Sequence, residues 1–162
     1  MNDTALARPD SPLARRPTAV ATAFVALVAA VGCGITETAA RGALLLGDAA
    51  GVDVLIGGWL LRTGIYLGVL GVAWRMLRGD RWARNLLTVG IGVLGTASLV
   101  VEPVRILAAA GTGVFADMST ATVFLALTRV GHICAVFVAI PAMYTPSARA
   151  WFRAGHGARG PG

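Results

Sequence analysis

Apolar residues gather into four runs along the chain, about Thr18 to Thr38, Val54 to Leu77, Leu86 to Leu107 and Thr120 to Ile140, with polar residues concentrated between them. At a rise of about 1.5 Å per residue, each run is close to the length that crosses a hydrocarbon core of roughly 30 Å. The pattern predicts an all-α polytopic membrane protein, with four transmembrane helices arranged as two hairpins in a bundle. The first hairpin takes residues 18–77 and the second 86–144, joined by a basic link at 78–85. Residues 1–17 read as a disordered tail, because they hold three prolines and no apolar period. Residues 145–162 read as a short interfacial helix and a second tail. Thr145–Pro146 supplies a cap and a first helical residue, and Arg149, Trp151, Phe152 and Arg153 follow.

Within the runs, small residues mark faces for close helix contact. Ala26, Ala29, Ala30, Cys33 and Glu37 recur at helical spacing in the first, and Gly57, Gly64, Gly68 and Gly71 form a stripe in the second. Gly90, Gly92, Gly95, Ala97 and Ser98 do the same in the third, where Pro103 is expected to kink the helix. Asp117 or Ser119 is placed to cap the fourth. Between the first two runs, Ala39 to Val52 is broken by Gly42, Gly47 and Gly51 and is expected to form an outer loop on the membrane interface.

Composition strengthens this reading. The chain is 56% hydrophobic and only 14% charged, with a mean hydropathy of +0.72, values outside the range of an ordinary soluble domain. Its net charge of +6 sets fourteen arginines, with no lysine, against eight acidic residues. Ten of the fourteen arginines lie in the N-terminal tail (Arg8, Arg15, Arg16), around the link (Arg75, Arg78, Arg81, Arg84) and in the C-terminal tail (Arg149, Arg153, Arg159). Four crossings put these three segments on one side of the membrane, and the positive-inside rule makes it the cytoplasmic side of a plasma (inner) membrane. The flanking arginines are thereby explained by topology, so no nucleic-acid partner is expected. The lipid bilayer is, together with a membrane-protein partner or a second copy docked on the glycine faces.

Ionisable residues inside the runs carry the functional question, since each costs at least a few kcal/mol at the bilayer centre unless it faces protein or water. Glu37, Arg62, Glu102, Arg105, Arg129 and His132 form a predicted buried charge layer in the outer half of the bundle. Arg62 and Arg129 are expected to reach outward to the glutamates, and Trp59 and Tyr66 are placed to add cation–π contact to Arg62. Dividing the chain at the link reveals a candidate twofold parallel repeat. Glu37 precedes Arg62 by 25 residues, Glu102 precedes Arg129 by 27, and an offset of 67 aligns Arg62–Thr63–Gly64 with Arg129–Val130–Gly131 and Met76 with Met143.

This inventory does not resemble an enzyme. One histidine within the spans and two cysteines, Cys33 and Cys134, supply no metal set, no CxxC and no Ser-His-Asp arrangement. From their depths, about 14 Å apart, the cysteines are not expected to form a disulfide. No cofactor, metal or catalytic residue is expected. Two readings stay open: a non-catalytic membrane subunit or scaffold held by its charge layer, and a small solute or proton-coupled transporter using Arg62, Arg129 and His132.

The link Arg78-Gly79-Asp80-Arg81-Trp82-Ala83-Arg84-Asn85-Leu86 and the ending Pro146-Ser147-Ala148-Arg149-Ala150-Trp151-Phe152 resemble those of small uncharacterised four-span integral membrane proteins of actinobacteria. That resemblance implies topology and carries no catalytic residue. Small multidrug transporters also have four spans and a glutamate in the first, but Glu37 lies near the outer end of its span and the arginine bias opposes their dual topology.

Overall fold

The structure, a computed structural model, describes residues 16–45, 52–110 and 119–157. The expectations for residues 1–15, Asp48, Asp117 and 158–162, and those resting on the side chains of Asp53, Glu102, Pro103 and His156, fall outside the described parts. The described residues form helices and short turns, the helices being α1 (Thr18–Leu45), α2 (Val52–Leu77), α3 (Arg81–Leu87), a π-helical segment (Thr88–Gly95), α4 (Thr96–Ala110), α5 (Thr120–Met143) and α6 (Pro146–Gly157). Four of its helical stretches are long and apolar enough to cross a membrane, Thr18–Leu44, Ile56–Leu77, Arg81–Val101 and Thr120–Met143. The protein is therefore all-α and polytopic in design.

Local chemistry accounts for the helix ends. The turn between α2 and α3 is a three-residue Schellman closure in which Gly79 adopts φ 87°, its N–H bonds to Met76 O (3.0 Å), and Asp80 N–H reaches Arg75 O (3.4 Å). Only glycine takes that backbone angle without strain. The basic link expected over 78–85 is thus a turn of three residues, and helix resumes at Arg81. Ser119 caps α5 by accepting the Thr122 N–H (3.2 Å). Thr145 does the same for α6 through the Ala148 N–H (3.4 Å), with Pro146 as first helical residue.

Two expectations are corrected. Residues 39–45, expected in an interfacial loop, continue α1. Ala39, Ala40, Ala43 and Leu44 are good helix formers, and the Glu37–Arg41 pair one turn apart supports the extension. The third span, expected as one α-helix from Leu86, begins at Arg81 and passes through eight residues of π-helix. There Thr96 N–H and Thr96 Oγ1 both turn to Ile91 O, the side chain at 3.2 Å. Gly90, Gly92 and Gly95 loosen the backbone enough to admit the wider turn.

The core lies at one end, where Val20, Ala23 and Leu27 of α1 meet Ala73, Met76 and Leu77 of α2, Ala83 and Leu87 of α3, Ala139 and Met143 of α5, and Ala148 and Phe152 of α6. We call this the link end and its opposite the loop end. Toward the loop end α5 and α2 both pack on α1, and the third span lies beside α5. The tightest pairing, α1 with α5, joins the two hairpins rather than the helices within each. Met76 and Met143, matched by the 67-residue offset, are both fully buried. The match does not extend to the middle of the spans. Gly131 lies against α1, where a Cβ would stand 3.2 Å from Cys33 Sγ, whereas Gly64 has open space beside it.

Candidate functional site

Two stripes on α1 build the polar centre. Ala30, Cys33 and Glu37, at intervals of three and four residues, face α5; Gly34, Thr38 and Gly42, at intervals of four, face α2. Arg41 lies between the stripes. Along the first, Arg129 Nε donates to Glu37 Oε1 at 2.9 Å. Arg41 Nη2 reaches the same oxygen at 3.1 Å. The side chains of Glu37 and Arg129 are only 14% and 17% exposed, and that of Arg41 38%. One turn nearer the link end, His132 Nδ1 contacts Ala30 O at 2.9 Å. A carbonyl only accepts, so Nδ1 carries the hydrogen in this contact.

Along the second stripe, Thr38 Oγ1 donates to Gly34 O (2.9 Å) and lies 2.9 Å from Tyr66 Oη. Its single hydrogen is used on the carbonyl, so the tyrosine hydroxyl donates to it. Glycine is required at two points of this seam. A Cβ on Gly34 would stand 3.0 Å from the Tyr66 ring, and one on Gly42 would collide with the Trp59 indole. Trp59 and Tyr66 therefore fill glycine notches on α1, and the expectation that they flank Arg62 as cation–π partners is not met among the described ring contacts. Arg62 is exposed. It makes one long contact, Nη1 to Thr38 Oγ1 at 3.5 Å, and among the described residues no carboxylate pairs with it.

The structure thus brings Glu37 and Arg129 together across the hairpins, with Arg41 as a third member that sequence reasoning left in a loop. Arg62 reaches the margin of this group. Glu102 is on α4, its side chain outside the described parts, and Arg105 is exposed on the same helix. Cys33 and Cys134 are both free thiols. Cys33 is half-buried beneath Gly131, while Cys134 is exposed.

A second polar cluster, at the link end, was missed. Asp80 is only 6% exposed and faces Arg75 Nη1 at 3.5 Å. The Arg84 guanidinium lies 4.8 Å from the Tyr144 ring centroid and 5.2 Å from that of Phe152. Arg81 Nε donates to Phe152 O at 3.0 Å, and the Thr88 and Tyr144 hydroxyls are 3.1 Å apart. Helix α6, expected to lie on the lipid interface, buries Ala148 and Phe152 against protein and turns Arg149 and Arg153 outward. The sequence signal was available: Ala148 and Phe152, one turn apart, share a helix face about 100° round from that of Arg149 and Arg153.

Between α1 and α2, Ile35, Ala39, Thr63, Leu67 and Leu70 line an open groove of about 340 Å³. No group of three or more His, Cys, Asp or Glu side chains among the described residues is arranged to hold a metal. No family model, curated protein or solved structure matches the chain.

Proposed function

We propose that the protein is a non-catalytic, multi-pass subunit or scaffold of the plasma membrane, with both termini cytoplasmic. Its charge layer locks α1 to α5 and leaves the outer faces of α2 and the third span free for a membrane partner or a second copy. One observation carries this reading: Glu37 is shared by two arginines and His132 is bonded to a helix carbonyl, so the polar groups between α1 and α5 are engaged in holding helices together. In a bilayer, where lipid tails are as apolar as the side chains, such bonds and close packing are what select a helix pairing. The orientation rests on the arginine distribution.

The competing transporter reading requires water at Arg129 and His132. In a chain with Cys33 and Cys134 replaced by alanine, Val130→Cys and His132→Cys are expected to resist a membrane-impermeant maleimide from both sides of a sealed vesicle. Rapid labelling of His132→Cys from either side would favour the transporter instead.

The glycine stripe of α2 gives the partner half of the proposal its own test. An added Cβ at Gly57, Gly64, Gly68 or Gly71 meets nothing within 4 Å, so Gly64→Ala with Gly68→Ala should leave the monomer folded and its helix stronger by up to about 1 kcal/mol per site. If this face seats a partner, the same pair of substitutions reduces association in the membrane, read by energy transfer between labelled copies or by co-purification. Unchanged association would remove the stripe from the interface.

A further inference from the structure

We propose that the loop-end cleft between α2 and α5, floored by α1, binds the phosphate of an anionic phospholipid through Arg62 and Arg41. The placement follows from the helix faces. On α1, Arg41 lies between the stripe that meets α5 and the stripe that meets α2. On α2, Tyr66 faces α1 while Thr63 and Leu67 line the groove with Ile35 and Ala39, away from Glu37. Arg62, one turn before Tyr66, is on the opposite flank, the one that looks toward Glu37 and Arg41.

Charge and depth then identify the ligand. Among the described residues, two guanidiniums, Arg41 and Arg129, share the Glu37 carboxylate, and a third, Arg62, reaches Thr38 beside it without a carboxylate of its own. The Arg41 Nε is buried and has no hydrogen-bond partner. Arg62 has only the long contact to a Thr38 oxygen already bonded to Gly34 O and Tyr66 Oη. Among the described residues, Arg41 and Arg62 keep guanidinium N–H groups that neither Glu37 nor Thr38 uses, and these match a phosphate, whose oxygens take such groups in pairs. In the span Thr18–Leu44, Arg41 stands about 15 Å from the middle by helical rise, at the boundary of a roughly 30 Å core. Thr38 and Glu37 are one turn deeper, and Arg62 can snorkel up to the same level. A phosphate at that depth belongs to a lipid of the loop-side leaflet.

The site is independent of whether the protein is a scaffold or a transporter. It is tested on the full chain, purified in mild detergent and titrated with phosphatidylglycerol, the retained lipid adducts being counted by native mass spectrometry. Wild type is expected to hold one adduct more tightly than the rest. Arg62→Gln should weaken that adduct roughly tenfold or more, Arg62→Lys should weaken it less, and Arg153→Gln, at the link end, should leave it in place. Far-UV dichroism verifies that the variants fold, as expected for an exposed residue. No preferred adduct in wild type, or the same loss with Arg153→Gln as with Arg62→Gln, overturns the proposal. So does competition by inorganic phosphate as effective as the lipid, which would assign the cleft to a free anion.

Discussion

Replacing Glu37 with leucine should destabilise the protein more than any other single substitution in the charge layer, by roughly 3–5 kcal/mol. The reason is the shared acceptor. Arg129 and Arg41 both bond to Glu37 Oε1, at 2.9 and 3.1 Å, so leucine strands two guanidiniums, one of them on the helix packed along α1. Arg129→Met leaves Glu37 with Arg41 still in place, and its cost should fall nearer about 1.5–3 kcal/mol, that of one charge-assisted hydrogen bond. The combined variant, Glu37→Leu with Arg129→Met, should be more stable than Glu37→Leu alone, because only Arg41 is then unpaired and its 38% exposure lets the head reach the interface. Equilibrium denaturation in mixed micelles measures all three. If Glu37→Leu proved no worse than Arg129→Met, the shared-acceptor account would fail.

Truncating Phe152 to alanine should be the most damaging change at the other end, by about 3 kcal/mol or more. The ring is 1% exposed, it is stacked with the Arg84 guanidinium, and its backbone carbonyl accepts from Arg81. Losing it should release α6 from the bundle while the spanning helices persist. The expected signature is a lower unfolding midpoint together with faster protease cleavage near Arg149 and Arg153. Trp151→Ala, at a half-buried position, should do less. A Phe152→Ala variant as resistant as wild type would show that α6 is held by lipid contact instead.

Much of this could be read before any coordinates. The number of spans and the caps at Ser119 and Thr145 follow from hydropathy, Gly and Pro placement and hydroxyl chemistry, which are properties of short segments; the bounds of the first and third spans did not. Glu37 and Arg129 were recognisable as charges within span-length apolar helices for the same reason. Their pairing was not, because residues 92 positions apart meet only if α5, rather than α2, packs on that face of α1. The repeat pointed the other way, by making Arg62 and Arg129 look equivalent. They differ because Gly131 admits Cys33 and Gly64 admits nothing.

Arg41 and α6 illustrate the same limit. A glycine at position 42 resembles a loop signal until Trp59 is seen to occupy the space a Cβ would take. The arginines of α6 resemble a lipid-facing surface until Phe152 is seen beneath them. Sequence alone determined that this is a helical protein with four helices long and apolar enough to span a membrane and a few charges within them, because the capacity to cross a bilayer depends on local hydrophobic length. Tertiary structure decided which helices touch, which carboxylate serves which arginine, and where a cation is left to seek an anion. Lateral packing in lipid has no strong hydrophobic drive, so it is settled by the fit of individual side chains and notches.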